Sequence, residues 1–421
     1  MPTPRSIQRT YLVLTLLSTL ASSFIWGINT IFLLDAGLNN AEAFAANAFF
    51  TVGQVIFEVP TGVVADTIGR RMSYLLGTLT LSGASILYVL LWQIGAPFWE
   101  WAGVSLLLGL GFTFFSGAVE AWLVDALTAT GYTGDLETVF GRGQILTGVG
   151  MLTGSIAGGF LAQQVSLGFP FVLRAVILLV MFVAAFRLMH DVGFTPEKGG
   201  RPLAEMRKIL SNSIDYGWRV PPVKWLMVEA LFTGGVGIYA FYALQPYLLE
   251  LYGDPHAYQI AGLAAAIVAG AQILGGIAAP RIRGLFKRRT SALIVMAAVS
   301  VVTLVMIGAI QSFWSVIGFT TIWGLLFAAT MPIRQTYING MIPSRQRATI
   351  LSFDSMMSST GGVWAQPVLG KTADAYGYAT SYVVSAGIAA FAIPFLVLSR
   401  RQDAPADTQD VAEAEPVPQP A

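Results

Sequence analysis

The sequence predicts an all-α membrane protein of twelve transmembrane helices in two pseudo-symmetric six-helix bundles. Three observations carry that expectation. Of 421 residues, 55% are apolar and 11% charged, against roughly 25% charged in an ordinary soluble domain. The apolar residues gather into twelve runs, each near the ~20 residues that cross a bilayer. The longest internal connection, about 190–221, leaves six runs on either side.

Taken in order, the spans are expected at roughly 10–34, 42–65, 72–94, 98–124, 139–163, 169–189, 222–249, 257–279, 290–311, 313–338, 347–370 and 378–399. The first run follows a short basic segment, as a secretory signal would. No small-residue cleavage site precedes Asp35, and eleven spans follow, so it reads as an uncleaved helix. Gly, Ala, Ser and Thr recur inside the spans, as close helix packing in lipid requires. Cations fall on alternate connections. Arg5, Arg9, Arg70, Arg71, Arg142, Arg281, Arg283, Lys287, Arg288, Arg289, Arg345, Arg347, Arg400 and Arg401 share one side, with Lys371 and Arg174 as exceptions. The positive-inside bias then places both termini in the cytoplasm.

The expected organisation is therefore a bundle at 1–189, a cytoplasmic linker at 190–221, a second bundle at 222–401 and a tail at 402–421. Within the linker, 203–219 reads as a short amphipathic helix on the membrane surface. The tail is Ala, Pro, Gln and acid, too poor in large apolar residues to bury a core, and is expected to be disordered. In the second half, Gly276-Ile-Ala-Ala-Pro280-Arg281 followed by Lys287-Arg288-Arg289 stands where the first half has its loop after span two. Two related halves match the parallel repeats of secondary transporters.

Composition also excludes functions. The chain has no cysteine and two histidines, His190 and His256, which removes thiolate chemistry and makes a histidine-built metal site implausible. The net charge of +1 is spread over short loops rather than gathered in a nucleic-acid-binding patch. No phosphate-binding Gly-Lys-Ser/Thr loop or nucleophile elbow occurs, so neither ATP nor a cofactor is implied.

The stretch with the most information is Glu58-Val-Pro-Thr-Gly62-Val-Val-Ala-Asp66-Thr-Ile-Gly69-Arg70-Arg71. Gln54, Glu58, Gly62 and Asp66 are four residues apart and form one helical stripe. Gly62 is expected to let a neighbouring backbone approach closely, and Gly69 to permit a tight turn. The segment resembles the loop between helices two and three of the major facilitator superfamily, Gly-x3-Asp-x2-Gly-Arg-Arg/Lys. That resemblance implies a gating latch made by Gly62, Asp66, Gly69, Arg70 and Arg71. It further implies that Arg70 meets Asp125 at the inner end of span four. Asp66 would meet the start of span eleven near Ser344–Thr349, where free helix N–H groups favour an anion.

Span four carries Glu120 and Asp125, five residues apart and so about 140° apart around the helix. Asp125 suits the latch; Glu120, deeper, suits a cavity. The Arg that many proton-coupled members of the family carry on span four is missing, since aligning on Gly117 gives Thr113-Phe-Phe-Ser116-Gly117. Protonation would then fall to a desolvated carboxyl, with Glu58 and Glu120 as candidates. Span five repeats the family's antiporter-type glycine pattern at Gly141, Gly150, Gly154, Gly158 and Gly159, with Ser155 where that pattern has Pro. Gly150, Gly154, Gly158 and Gly159 would form a groove for a tightly packed neighbour.

Spans one, four, seven and ten line the central cavity in this family. The resemblance therefore makes Trp26, Asn29, Tyr239, Tyr242, Gln245, Trp323 and Arg334 candidate cargo contacts. Arg334 could pair with Glu229 or with Asp354 at the inner gate, or equally be a helix-end cation. Taken together, these features lead to the expectation of a monomeric inner-membrane carrier exporting small amphipathic compounds in exchange for protons. Uptake of a sugar or other metabolite with protons is a rival, and so is a transporter-like receptor or scaffold. A membrane enzyme would need a nucleophile or metal constellation that the sequence does not contain.

Overall fold

The computed structural model describes residues 2–115, 118–194, 220–342 and 347–408. Every regular element among them is helical. Spans two, three, five to ten are single helices: Asn40–Ile68, Arg70–Ile94, Leu136–Gln164, Phe169–Leu188, Pro221–Tyr252, Tyr258–Gly284, Arg289–Ala309 and Phe313–Asn339. Span one is broken, Pro4–Trp26 then Asn29–Asp35 with a 46° bend. Span four comes as Phe98–Thr113 and Ala118–Ala129. The last long helix, Arg347–Ala390, is interrupted at Gly377 (φ 82°, ψ 165°). That left-handed-side residue divides span eleven from span twelve, which ends with Ala392–Arg400. Among the described residues ten helices are long and apolar enough to cross a membrane, eleven with the bent first pair as one span, and dividing the last at Gly377 gives the expected twelve.

The chain divides into two compact units. One holds spans one to six together with Gly253–Ala266; the other holds span seven through Tyr252 and the chain from Ile267. In the first unit span one packs on spans five and six, span two on span four, and span three on span six. The second unit repeats the scheme. Span seven meets span eleven through Gly235 and Gly361, and span twelve through the Tyr239–Ser381 hydrogen bond. Span nine packs along spans ten and twelve. The assignment of Gly253–Ala266 to the first unit departs from the expected boundary at 222. Its cause is local: a Cβ on Gly159 would lie 2.8 Å from Gly262 Cα, so these backbones touch only because both lack side chains.

The tail expectation needs correcting in part. Residues 402–408 are placed against the second unit, with a short 3₁₀ turn Pro405–Asp407. Ala406 and Asp407 are buried, at 4% and 1% exposure. The segment lacks large apolar residues, yet Ala406 fills the space beside Gly340 and Asp407 bonds to the start of span nine. Polar capping does what hydrophobic bulk does not. The proposed surface helix at 203–219, Ser344–Gln346 and residues 409–421 lie outside the described residues.

Candidate functional site

Two clusters of one arginine and two acids stand out, one per unit. In the first, Arg70 forms an ion pair with Asp66, four residues back across the Gly69 turn, and its Nε lies 4.0 Å from Asp125 Oδ2. The Asp125 contact expected from the loop motif is thus present at the limit of ion-pair range, while Asp66 is the tighter partner. All three side chains keep solvent contact, at 22%, 41% and 39%. Gly69 makes the turn (φ 120°) and starts span three. Arg71 points elsewhere: its guanidinium donates to the Phe186 carbonyl and lies 4.8 Å from that ring's centroid. Its backbone N–H donates to Asp191 Oδ1 at 2.9 Å. Gly62 does not do what its place on the stripe suggested. A Cβ there would meet nothing within 4 Å, because the stripe turns away from the unit's packed interior.

In the second unit, Arg334 on span ten lies between Glu229 on span seven and Asp354 on span eleven. It donates to both Asp354 oxygens at 2.5 and 2.6 Å, to Glu229 Oε2 at 3.2 Å, and to the Leu226 carbonyl at 3.0 Å. Thr233 Oγ1, one turn along from Glu229, donates to Glu229 Oε1 at 2.8 Å. The choice left open by the sequence resolves into both acids at once. These side chains are 11%, 8% and 11% exposed. Their helical registers explain the meeting: Leu226, Glu229 and Thr233 share one face, and Trp323, Phe327, Thr330 and Arg334 share another. Glu229, Thr233, all four residues of that second face, and Asp354 line a cavity of about 410 Å³. Trp323 and Phe327 stack there with centroids 5.5 Å apart.

A second cavity of about 350 Å³ lies in the first unit, lined by Trp26, Glu120, Arg174, Phe112, Tyr74 and the hydroxyls of spans one and five. Glu120 and Glu58 are both exposed. Among the described residues of the spans, Glu229 and Asp354 are buried acids. Glu58 faces away from the core with the rest of its stripe.

Other candidates bond or pack between helices. Asn29 is buried and donates to Asn47 Oδ1 at 2.9 Å, joining spans one and two. The break after Trp26 removes the shared face on which Trp26 and Asn29 were grouped. Tyr239 is fully buried and its hydroxyl donates to Ser381 Oγ at 2.6 Å. Half-buried Tyr242 and buried Gln245 lie outside the lining of the second-unit cavity. A straight stripe cannot distinguish the face toward a cavity from the face toward a neighbour. In span five the glycine groove holds span one. Gly150 faces Thr19, Gly154 faces Ser23 and Gly158 faces the Phe24 carbonyl, and Ser23 Oγ donates to the Gly150 carbonyl at 3.0 Å. Sequence reasoning missed Asp191 altogether; its one signal was an acid just beyond the end of a span.

Outside the spans, Arg288 donates to Asp403 Oδ1 at 2.5 Å. That hydrogen bond, with the attraction of the carboxylate, holds the guanidinium above its ordinary value. Among the described residues no cluster of three or more His, Asp or Glu could hold a metal ion.

Long apolar helices in two compact units, one with an exposed and one with an enclosed ionic cluster, are the architecture of a multi-pass membrane protein. The profile of the Major Facilitator Superfamily matches residues 11–307 and 230–420, and the chain belongs to that superfamily, whose members carry small molecules and are not enzymes. It is similar to the multidrug resistance protein MdtG of Salmonella dublin, 25% identical over 336 residues and covering 78% of each chain. It also resembles the uncharacterized MFS-type transporter YxaM of Bacillus subtilis, 23% identical, covering 80% of this chain and 82% of that one. Among solved structures, the nucleoside transporter NupG superposes with a TM-score of 0.75 at 14% identity, covering 93% of this chain and 98% of that one. A bacterial homolog of the lysosomal transporter spinster gives 0.74 at 15% identity, over 95% and 98%. At such identities the superpositions establish the fold alone.

Proposed function

We propose that the protein exports small amphipathic compounds in exchange for protons, from an inner membrane with both termini on the cytoplasmic side. The observation that carries this is the buried Glu229–Arg334–Asp354 cluster on the wall of an aromatic cavity. One guanidinium against two carboxylates leaves a single negative charge. An uncompensated charge at such depth is costly, so it calls for one positive charge from elsewhere. A proton can supply it, or a cationic group on cargo stacked against Trp323 and Phe327. A site satisfied by either couples the two. Asp354 receives a two-point hydrogen bond from Arg334, whereas Glu229 receives one longer bond and a hydroxyl. Glu229 is therefore the group that takes the proton, in place of Glu58 and Glu120. The likeness to MdtG over most of the chain supports multidrug-type cargo.

The latch made by Gly62, Asp66, Gly69, Arg70, Arg71 and Asp125 is proposed as the gate on the inner side. Its solvent-exposed pairs are weak and can break and re-form each cycle. A second reading, proton-coupled uptake of a polar metabolite, is favoured by the first-unit cavity. There Glu120 and Arg174 stand among the hydroxyls of Thr15, Ser18, Thr19 and Ser22. Purified protein in liposomes loaded with a pH dye separates the two. Cargo added outside alkalinises the lumen under exchange and acidifies it under symport. The panel should hold amphipathic cations, nucleosides and sugars. Exchange with Glu229→Gln indistinguishable from the unmodified protein would overturn the proposed proton site.

A further inference from the structure

Helices three and nine open the same way in their two units, and neither carries its own cap. Span three starts after Gly69 and span nine after Arg288, and neither residue's side chain bonds to the free N–H groups of the first turn. A helix start without such a partner is destabilised. In both cases the partner comes from the chain just past the sixth helix of that half. Asp191, three residues beyond the end of span six, accepts the Arg71 N–H at 2.9 Å. Asp407, beyond the end of span twelve, accepts the Thr290 N–H at 2.7 Å, and its other oxygen accepts the Thr290 hydroxyl at 2.7 Å. Arg71 and Thr290 hold the same position, the second residue of their helices. Arginine side chains at the two starts also reach the sixth helix of their half, at Phe186 within span six, or the chain beyond it, at Ala406. Arg71 donates to the Phe186 carbonyl, and buried Arg289 to the Ala406 carbonyl at 2.5 Å.

We infer that Asp191 and Asp407 are equivalent positioning residues, each fixing the start of its half's third helix from the chain that leaves the sixth. Asp191 has a further consequence. It lies so close to Gly69 that a Cβ there would come 2.5 Å from its carboxylate, and it grips the residue next to Arg70. It thereby holds Arg70 in reach of Asp66 and Asp125, a role that rests on the latch reading. His190 and Gly193 anchor the same segment to span four. Trp122 Nε1 donates to the His190 carbonyl at 2.7 Å, and Gly193 (φ 79°) lies against the Asp125 backbone.

The test is amide hydrogen exchange and transport in the full-length protein, with Asp191→Ala, Asp191→Asn, Asp407→Ala and Asp66→Asn compared in liposomes. Removing a cap should raise exchange at that helix start about five-fold. The rise should appear in peptides covering Arg71 for Asp191→Ala, and in those covering Thr290 for Asp407→Ala. Neither should affect the other site. Asp191→Asn keeps an oxygen acceptor and should retain most of the protection. Asp191→Ala should lower the maximal transport rate with KM within about two-fold. Unchanged exchange at Arg71 in Asp191→Ala, or a rise spread evenly over all spans, overturns the positioning role. If exchange responds but rates stay normal in both Asp191→Ala and Asp66→Asn, the latch reading fails and the caps stand. If only Asp66→Asn is slowed, the gating role of Asp191 is overturned.

Discussion

The Arg70 and Arg334 clusters have the same inventory, one guanidinium and two carboxylates, and opposite surroundings. Around Arg70 the acids are about two-fifths exposed; around Arg334 they are nearly enclosed. Exposed pairs are screened and contribute little, so they can be remade cheaply. Enclosed pairs are strong as a set, and removing one member leaves the others stranded. The proposed roles of gate and charge-coupling site therefore rest on a difference in burial and not in composition.

The largest effect should come from breaking the enclosed cluster. Arg334→Met leaves two buried acids without a cation, and should cost about 3–5 kcal/mol, read as a drop in the unfolding midpoint of purified protein. Arg70→Ala should cost under about 1 kcal/mol. Equal losses would erase the distinction between the two sites. Adding Glu229→Gln and Asp354→Asn to Arg334→Met should recover most of the stability while transport stays uncoupled from protons.

Next in size is the salt response. Raising ionic strength from about 0.01 to 1 M shortens the screening length from roughly 30 to 3 Å. The exposed Arg70 pairs should weaken and the enclosed Arg334 pairs should not. Labelling of a single cysteine introduced at exposed Ile68, beside the first cluster, should therefore depend on salt. The proton stoichiometry, which the proposed function assigns to the second cluster, should be constant. A stoichiometry that drifts with salt would mean that the enclosed site is open to solvent.

Much of this was legible in the sequence, for identifiable reasons. Long apolar runs and the side on which cations fall are local properties, so the twelve spans and the repeat could be read directly. The Arg70–Asp125 approach followed from a motif. Arg334 was recognisable as a paired cation, but its two partners lie 105 and 20 residues away, and only packing shows that both are reached. Asn29 and Tyr239 bond to neighbouring helices, which the sequence could not show because polar groups that bridge helices and polar groups that face a cavity share the same residue types and spacing. Asp191 and Asp407 were invisible since a cap supplied from a distant segment leaves no periodic signal.

The smallest effect sharpens the comparison at the loop itself. Gly62→Ala adds a methyl where nothing lies within 4 Å, on a helix in which Ala is favoured over Gly by about 1 kcal/mol. Stability should therefore hold or rise slightly, by less than that amount. Gly158→Ala, by contrast, would press a methyl into the Phe24 carbonyl and should lower the unfolding midpoint. The two glycines share a sequence context of small residues yet differ in what faces them. A destabilised Gly62→Ala would mean that the stripe packs against the unit's interior after all. Transport lost with stability intact would mean instead that Gly62 meets a neighbouring backbone only while the gate moves, which would make its close approach a property of the cycle.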